Sequence, residues 1–432
     1  MRLPIVDGEQ FTWARTSASA PSETDTVANI IGDVRARGDV ALREWTAKLD
    51  RVSAATQDDF ALRVPQSALA AAYEALPAEM REALIAAADR IRRFHEAQWP
   101  EDFTMQGAES EQLGLVWRSL RRIGVYAPGG RGAYPSTVLM DVIPAQVAGV
   151  ASIALVSPAG SDGLPHQDVL AAAHLLGIEE VYRLGGAQAI AALAYGTDSV
   201  PKVDKIVGPG NLYVALAKRQ VMGDVGIDSI AGPSEVFIVA DETANPRWIA
   251  ADMLAQAEHD IEAGAICVSD SRRLLEAVAL ELERQLETLP RREIAIQSLE
   301  RWGELVLVER LADAMDILND AAPEHVEVLT AEPEVWLPEI RFAGAVFLGH
   351  YTPEPVGDYY AGTNHVLPTH GSARYASGLG LYDFLRRMSV VAYGEETLQK
   401  HAKHIVTLAR AESLEAHARS ILVRTEDKND GN

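Results

Sequence analysis

The sequence predicts an α/β protein in which two α/β units follow one another along the chain, with helical extensions at both ends. Two series of short β-branched runs alternate with helical patterns, one starting near residue 121 and the other near residue 233. The length of 432 residues also exceeds what a single hydrophobic core usually serves. We therefore expect separate regions with the boundaries 1–120, 121–232, 233–380 and 381–432.

Residues 1–120 show apolar residues at helical spacing. Two stripes repeat at this spacing: Val27, Ile30, Ile31 and Val34, then Leu42, Trp45 and Leu49. Further along, Pro77 marks a break between two Ala-rich helices. We expect this region to be architectural and helical, with part of it packing against the second α/β unit.

The first α/β unit, residues 121–232, contains the strand-like runs RIGVYAP, SIALVSP, VYRLGG and DKIVGPG. Glycines follow these runs and precede helical stretches: Gly129, Gly130, Gly132, Gly185, Gly186, Gly208 and Gly210. The carboxyl ends of strands in open α/β sheets bind ligands, and helix N-termini hold phosphate. However, no G-x-G-x-x-G fingerprint is present, and glycine at such a turn often serves backbone geometry alone. A nucleotide site and plain turn geometry therefore both remain open.

The second α/β unit, residues 233–380, contains a longer series of strand-like runs: EVFIVAD, AICVSD, ELVLVER, VEVLT and GAVFLG. Amphipathic helical segments separate some of them, near residues 245–258 and 272–287. Beyond about residue 380 the pattern returns to helix. We therefore expect residues 381–432 to form a helical C-terminal extension.

Charge and composition exclude some classes of protein. The formal net charge of −23 disfavours binding to nucleic acid and to anionic membranes. The single cysteine, Cys267, lies in an apolar run and cannot form an internal disulfide, which is typical of a buried structural thiol. The N-terminus has no apolar signal-peptide core, and no stretch approaches the ~20 apolar residues of a membrane span. We expect a soluble cytoplasmic protein that binds neither nucleic acid nor membranes.

Several polar pairs are candidates for a metal site. Gln256 and His259 are three residues apart on a predicted helix and project from one face. Asp358 and His365 lie in a predicted loop, where function often concentrates but where Asp and Asn also form turns. Imidazoles and carboxylates suit zinc, yet no spacing equals a zinc-finger or H-E-x-x-H pattern. Solvated helix ends and turn residues are the alternative explanation.

Two further pairs contain a carboxylate and an imidazole. Glu324 and His325 begin a strand-like run, and neighbouring residues on a strand point to opposite faces. At the mouth of a loop both could still reach one cleft and form a general acid/base pair; otherwise they are exposed polar groups of a connection. Glu412 and His417 are five residues apart on a predicted helix, which is off the i, i+4 spacing. These last two need not act together.

Ordered motifs of the chain resemble those of the histidinol dehydrogenase family. The motifs are RIGVYAPGGRGAYPSTVLMDVIPAQVAGV, GGAQAIAALAYGT, VPKVDKIVGPGN, AGPSEV, AQAEHD, APEH and GDYYAGTNHVLPT. They occur in the family's order and at its spacing, and the resemblance runs from about residue 20 to residue 424. It implies that the two α/β units are incomplete and Rossmann-like, which would explain the missing glycine fingerprint. It also implies a homodimer with shared active sites.

The resemblance implies roles residue by residue. The implied ligands of one zinc per subunit are Gln256, His259 and Asp358, with His417 supplied by the other subunit. The implied acid/base pair is Glu324 and His325. The implied substrate contacts are Ser234, His325, His365, the zinc ligands, and Glu412, which reaches across the dimer. The implied NAD contacts are Tyr126, Gln188 and Asn211.

The resemblance further implies a zinc- and NAD-dependent oxidoreductase that converts L-histidinol to L-histidine through bound L-histidinaldehyde, the last step of histidine biosynthesis. His325 would remove the hydroxyl proton, and Glu324 would activate water. Relatives on the same scaffold oxidise other alcohols, such as sulfopropanediol, and an extra cation in the pocket would favour a sulfonate; Arg374 is the candidate, with a plain surface charge as the alternative. A catalytically silent binding protein is a further alternative, although such a protein has no chemical reason to keep the whole set of site residues.

Overall fold

The computed structural model describes residues 2–13, 21–57, 60–129 and 134–425. It divides into two compact units. The larger unit comprises Met1–Gln98 and Leu120–Phe384, and the smaller one comprises Trp99–Ser119 and Leu385–Asn432. Gly130 and Gly132 of the first glycine-rich turn lie outside the described residues. Among the described helices, none is both long enough and apolar enough to cross a membrane.

The N-terminal region is mainly helical. Its helices are α1 (Pro21–Arg37), α2 (Asp39–Leu49), α3 (Gln66–Glu74) and α4 (Ala78–Glu96). The expectation of a helical region is incomplete. The region also contains the strands β1 (Ile5–Asp7), β2 (Phe103–Gln106) and β3 (Gln112–Ser119). Runs as short as β1 and β2 leave only a weak pattern beside strong helical spacing, whereas β3 has eight residues and pairs with a strand near the C-terminus, a contact that local spacing does not report.

The first α/β unit contains a parallel sheet. Its strands are β4 (Arg122–Tyr126), β5 (Ser152–Ser157), β6 (Glu180–Arg183), β7 (Lys205–Val207) and β8 (Gly226–Ile227). Its helices are α5 (Pro135–Val147), α6 (Gln167–Leu175), α7 (Gly186–Tyr195) and α8 (Leu212–Val221). The sheet order is β6-β5-β4-β7-β8, which, counted from β4, is the order 3-2-1-4-5 of dinucleotide-binding folds. The four runs predicted as strands are confirmed, and β8 is too short to give a pattern.

The N-terminal helices pack against the first α/β unit: α1 contacts α7 and α8, α3 contacts α6, and α4 contacts α5. The stripe that begins at Val27 is confirmed, since all its members are buried in the same core as α7. The second stripe is only partly right. Leu42 is buried and Trp45 is half-buried, but Leu49 is 46% exposed. As predicted, Pro77 separates α3 from α4.

The second α/β unit repeats this architecture. Its strands are β9 (Glu235–Ala240), β10 (Gly264–Ser269), β11 (Gly303–Leu307), β12 (His325–Leu329) and β13 (Ala345–Leu348). Its helices are α9 (Pro246–Ala257), α10 (Arg272–Leu286), α11 (Arg292–Trp302), α12 (Leu311–Ala321) and α13 (Glu354–Tyr359). The sheet order is β1-β11-β10-β9-β12-β13, with parallel pairing, so β1 is the N-terminal part that joins this unit. All five predicted strands are confirmed.

The smaller unit combines an antiparallel sheet with two helices. The strand β14 (Leu385–Ala392) pairs with β3, and β3 pairs with β2. The helices α14 (Glu395–Ala411) and α15 (Glu415–Thr425) follow. The expected helical C-terminal extension therefore begins with a strand, and its partner is more than 260 residues away in the chain. A pairing over that distance leaves no signal in a local pattern.

Candidate active site

Glu324 and His325 lie at the amino end of β12, next to the amino end of β9. Glu324 Oε2 accepts a hydrogen bond from the Glu235 backbone N–H (3.1 Å), and His325 Nδ1 lies 3.3 Å from the Glu235 carbonyl oxygen. Both side chains are buried, and His325 Nδ1 is 3.8 Å from Glu324 Oε2. The structure thus brings the two side chains together in one buried cluster, because Glu324 precedes the strand and does not follow its alternation.

Two carboxylates of α13 complete this cluster. His325 Nδ1 is 3.7 Å from Glu354 Oε1, and His325 Nε2 is 3.9 Å from Asp358 Oδ1. Glu354 and Asp358 are four residues apart on the helix and share one of its faces. Asp358 therefore lies on a short helix, which corrects the expectation of a loop. The ligand atoms of His325, Glu354 and Asp358 all lie within 4.8 Å of one another.

Glu354 is a member of the cluster that the sequence patterns did not indicate. Its backbone N–H donates to Glu327 Oε1 (2.7 Å), and Glu327 is buried on β12, two residues after His325. The available signal is the i, i+4 spacing of Glu354 and Asp358. The two prolines that flank Glu354 obscured it, although proline is tolerated in the first turn of a helix.

Burial shifts the pKa values of this cluster so that the uncharged forms of its carboxyl and imidazole groups are favoured. It raises the pKa of Glu324 and of Glu354 well above the usual range, and the neighbouring carboxylates Glu235 and Asp358, respectively, raise them further. Burial also raises the pKa of Asp358 to about 7 and lowers the pKa of His325 to about 3. A divalent cation would stabilise such crowded carboxyls in their ionised form.

Gln256 and His259 lie side by side at the end of α9. Gln256 is in the last turn and His259 follows the helix, with Gln256 Nε2 3.4 Å from His259 Nδ1. Gln256 is fully buried, and its Oε1 has no hydrogen-bond partner among the described residues. His259 is exposed. The predicted proximity of the two side chains is confirmed, even though His259 lies beyond the helix.

Ser234 and His365, two more of the implied substrate contacts, lie beside Glu324 and Asp358, respectively. The Ser234 side chain lies beside the Glu324 carboxyl and lowers its pKa, against the larger effect of burial. His365 Nδ1 lies 3.0 Å from the Asp358 carbonyl oxygen, and its Nε2 lies 3.4 Å from Thr137 Oγ1 on α5. Because α5 belongs to the first α/β unit, this contact joins the first α/β unit to the cluster around His325 and Asp358 in the second.

A cavity of about 840 Å³ lies at the carboxyl ends of the strands of the first sheet. Tyr126, Asn211 and Gly186 are among its lining residues. The Tyr126 hydroxyl accepts from the Gly186 N–H (3.1 Å), and Asn211 Oδ1 accepts from the Tyr213 N–H (3.0 Å) at the start of α8. Gln188 is fully buried on α7. The volume is within the range of small-molecule pockets.

A buried ion pair holds the glycine-rich turn at this cavity. Lys218 Nζ donates to the Gly208 carbonyl (3.0 Å) and pairs with Asp228, whose Oδ2 accepts from the Gly208 N–H (2.8 Å). Gly208 has a φ of 106°, and a Cβ there would lie 2.3 Å from the Tyr126 carbonyl oxygen. Backbone geometry therefore requires this glycine, whatever the cavity binds.

Glu412 and His417 both belong to the smaller unit and are exposed in this chain. Glu412 follows α14 and His417 lies in α15, so the two are not on one helix as predicted. Ser413 lies between the helices with a φ of 62°. Such a conformation usually marks glycine, and without one the sequence did not indicate the break.

Known proteins resemble this chain over nearly its whole length. The sequence profile described as histidinol dehydrogenase matches residues 14–425. The chain belongs to the histidinol dehydrogenase family. It is 52% identical to a histidinol dehydrogenase of Geobacillus kaustophilus over 99% of both chains, and 49% identical to one of Bacillus subtilis over 98% of this chain and 99% of the other.

A solved structure agrees with this membership in the histidinol dehydrogenase family. The crystal structure of histidinol dehydrogenase from Elizabethkingia anophelis matches with a TM-score of 0.91 at 36% identity. The match covers 96% of this chain and 95% of that one. The predicted family, the α/β fold and the oxidoreductase class are thereby confirmed.

For this member of the histidinol dehydrogenase family, two candidate ligand sets overlap at Asp358. The resemblance implies Gln256 and His259 beside Asp358, whereas the distances group His325 and Glu354 with it. Gln256 Oε1, His325 Nε2 and Glu354 Oε2 are buried without hydrogen-bond partners in the described part of the chain. Oxygen and imidazole donors of this kind fit zinc, so the residues present suit the metal that the resemblance implies.

Arg374, the residue that would indicate a sulfonated substrate, makes a backbone contact. Its guanidinium donates to the Asp320 carbonyl oxygen, and the side chain is exposed on the short 3-10 helix Ser372–Arg374. This contact gives no support to a sulfonate pocket.

Proposed function

We propose that this chain is a zinc- and NAD-dependent histidinol dehydrogenase of the cytoplasm, which catalyses the last step of histidine biosynthesis. The main support for this proposal is the buried Glu324–His325 pair beside Asp358. The chain that contains it is 52% identical to a protein named histidinol dehydrogenase. In the proposed reaction L-histidinol and water become L-histidine, and two NAD molecules each accept one hydride. L-histidinaldehyde is the intermediate and stays bound.

In the first half-reaction, His325 is the base that removes the hydroxyl proton of the substrate. If its Nδ1–H donates to the Glu235 carbonyl oxygen, 3.3 Å away, then Nε2 carries the free lone pair. This Nε2 is buried and has no hydrogen-bond partner among the described residues. Because burial lowers the pKa of His325 to about 3, the imidazole is neutral and its Nε2 is free to accept a proton, although the same shift makes it a weaker base than an exposed histidine.

In the second half-reaction, Glu324 is the base that activates the water molecule. A hydrogen bond from the Glu235 N–H (3.1 Å) holds its carboxylate in position. Burial raises the pKa of Glu324 well above that of an ordinary carboxyl group, which makes its ionised form a stronger base but favours the protonated form, so a nearby cation would help to keep the carboxylate ionised. Attack of water on the aldehyde gives the hydrate, and the second hydride leaves from this hydrate.

Gln256, His259 and Asp358, with His417 of a second copy of the chain, would hold the zinc. A bound zinc would orient the amino alcohol and polarise its oxygen. The buried, unpaired Gln256 Oε1 and the shifted pKa of Asp358 support a cation at this position. Ser234, His365 and Glu412 would contact the substrate.

NAD would bind in the cavity at the carboxyl ends of the first sheet. Tyr126 and Asn211 line this cavity, and Gln188 lies behind it on α7. The amino ends of α7 and α8 both reach the cavity, and helix N-termini favour phosphate groups. The strand order of the sheet is the one that dinucleotide-binding folds use.

The stoichiometry of the reaction tests this proposal. Purified protein with limiting L-histidinol and excess NAD should form two NADH per L-histidinol, as measured by absorbance. A chelator should abolish the activity, and zinc should restore it. Sulfopropanediol serves as a parallel substrate. Turnover of the sulfonate without turnover of L-histidinol would keep the dehydrogenase scaffold and overturn the substrate.

We also propose that the active enzyme is a homodimer in which the smaller unit completes the site of the other subunit. Apolar side chains of this unit are at least 40% exposed in the single chain: Phe103, Met105, Met388, Val390, Val391, Tyr393, Leu408, Leu414 and Val423. So many exposed apolar residues in a small unit are typical of a surface that another protein chain covers. His417 and Glu412 lie in the same unit and would reach the neighbouring site.

Mixing two inactive variants tests the shared site. His417→Ala and His325→Ala subunits should each be inactive alone. Coexpressed in equal amounts, they should recover about one quarter of the wild-type activity, because half of the dimers are heterodimers and each of these has one intact site. The matched control combines His325→Ala with Glu324→Gln, since both changes lie on the same side of the site. This mixture should recover nothing, and equal recovery in both mixtures, or none in either, would contradict the proposal.

A further inference from the structure

The end of α2 contributes a carboxylate to the proposed cofactor cavity. Asp50 directly follows α2 and lines the cavity together with Tyr126 and Asn211. Its Oδ2 accepts hydrogen bonds from the Gly185 N–H (3.1 Å) and from Gln188 Nε2 (3.4 Å). Asp50 is therefore held at the start of α7, and it lines the cavity together with Thr26, Ile30 and Leu49 of the N-terminal region.

One oxygen of this carboxylate is left for a ligand. Both hydrogen bonds that the Asp50 carboxylate accepts use Oδ2, and Oδ1 has no hydrogen bond to another described residue. Asp50 is only partly exposed, and burial raises the pKa of its carboxyl to about 6, with the Gly185 and Gln188 bonds opposing this effect. A poorly solvated acceptor that faces a cavity can accept hydrogen bonds from the hydroxyl groups of a ligand.

The sheet itself does not supply such a group where dinucleotide-binding folds have it. In those folds an acidic residue at the end of the second strand binds the ribose hydroxyls. Here the second strand is β5, and Pro158, Ala159, Gly160 and Ser161 follow it. The next acid, Asp162, also lines the cavity, but it is exposed and its Oδ1 accepts from the Leu164 N–H (3.1 Å) within its own turn, whereas Asp50 is partly buried.

We propose that Asp50 binds the hydroxyl groups of a ribose of NAD and thereby selects NAD over NADP. This inference rests on the proposed use of a nicotinamide cofactor in this cavity. The carboxylate would accept the vicinal hydroxyls through Oδ1, whereas a 2′-phosphate would place negative charge against it. Among the described residues that line the cavity there is no Lys or Arg to neutralise such a phosphate, and His166, which also lines it, accepts a hydrogen bond from the Asp168 N–H through Nδ1.

A purely structural role is the competing explanation, because Asp50 also anchors α2 to the start of α7. The two roles differ in one observable quantity. A lost anchor would weaken NAD and NADP alike, whereas a lost ribose contact would weaken NAD and relieve the repulsion of NADP. The ratio of the two affinities therefore separates them.

The experiment compares Asp50→Asn and Asp50→Ala with wild-type protein. Dissociation constants for NADH and NADPH come from fluorescence titration without any alcohol, so this readout is independent of the substrate. For Asp50→Asn we expect NADH binding to weaken about tenfold, and the preference for NADH over NADPH to fall by at least about tenfold. With L-histidinol as substrate, the KM for NAD should rise by a similar factor while kcat stays within about twofold.

The matched control is Asp39→Asn, at the other end of α2. Asp39 anchors that end to the first unit by accepting from the Ser199 N–H (3.3 Å) and from the Ser199 hydroxyl, without lining the cavity. The Asp39→Asn variant should leave the ratio of the dissociation constants for NADH and NADPH unchanged. Parallel weakening of NADH and NADPH in both Asp50 variants would overturn the proposal, as would wild-type protein that binds neither. NADH binding without turnover of L-histidinol would instead overturn the substrate assignment alone.

Discussion

The Glu324→Gln variant is expected to lower steady-state NADH formation from L-histidinol about a thousandfold, the scale of a lost general base. Glutamine can still accept from the Glu235 N–H, 3.1 Å away in the native protein, so the local structure should persist. The amide cannot take a proton from water. Because Glu324 is assigned to the second half-reaction only, the first hydride transfer should survive the substitution.

Single-turnover kinetics make this prediction specific. With excess enzyme, Glu324→Gln should form one NADH per L-histidinol quickly and then stop, because the aldehyde remains bound and cannot react further. His325→Asn should lose the first NADH as well, since its base acts on the hydroxyl proton. Glu334→Gln on the exposed 3-10 helix Pro333–Val335 is the control and should behave as wild type. A first NADH that survives in His325→Asn, or disappears in Glu324→Gln, would reverse or refute the two roles.

Bound metal is the second quantity for which we expect a large effect. His259→Ala should reduce the zinc that remains after dialysis by at least about tenfold, since the removed imidazole is an implied ligand. Glu354→Gln should keep the zinc, because Glu354 is absent from the implied set although its Oε1 lies 3.7 Å from His325 Nδ1. Elemental analysis of the dialysed proteins measures both, and it does not depend on activity.

Asp358→Asn provides the control for this comparison. Asp358 belongs both to the implied ligands and to the group that the distances define, so its loss should remove zinc in either case. If Glu354→Gln loses the metal and His259→Ala retains it, then His325, Glu354 and Asp358 are the ligands. His325 would in that case hold the metal through Nε2 and could not be the base for the hydroxyl proton.

Local patterns in the sequence were sufficient for much of the fold. The nine predicted strands of the two sheets and the buried stripe on α1 are present, because alternation and helical spacing depend on neighbours within a few residues. The ordered motifs were sufficient for the family, since they extend along nearly the whole chain. The same local patterns did not indicate β14, which pairs with β3, a strand more than 260 residues earlier in the chain.

By itself, then, the sequence determined the α/β class, the tandem units and the histidinol dehydrogenase family. Only the tertiary structure decided which side chains meet. Glu354 approaches His325 because α13 returns to the amino end of β12, and Asp50 lines the cavity of the first sheet because α2 packs beside α7. Contacts of this kind join residues that are far apart in the chain. Their positions depend on how whole helices and strands pack, and no spacing of neighbouring residues encodes that.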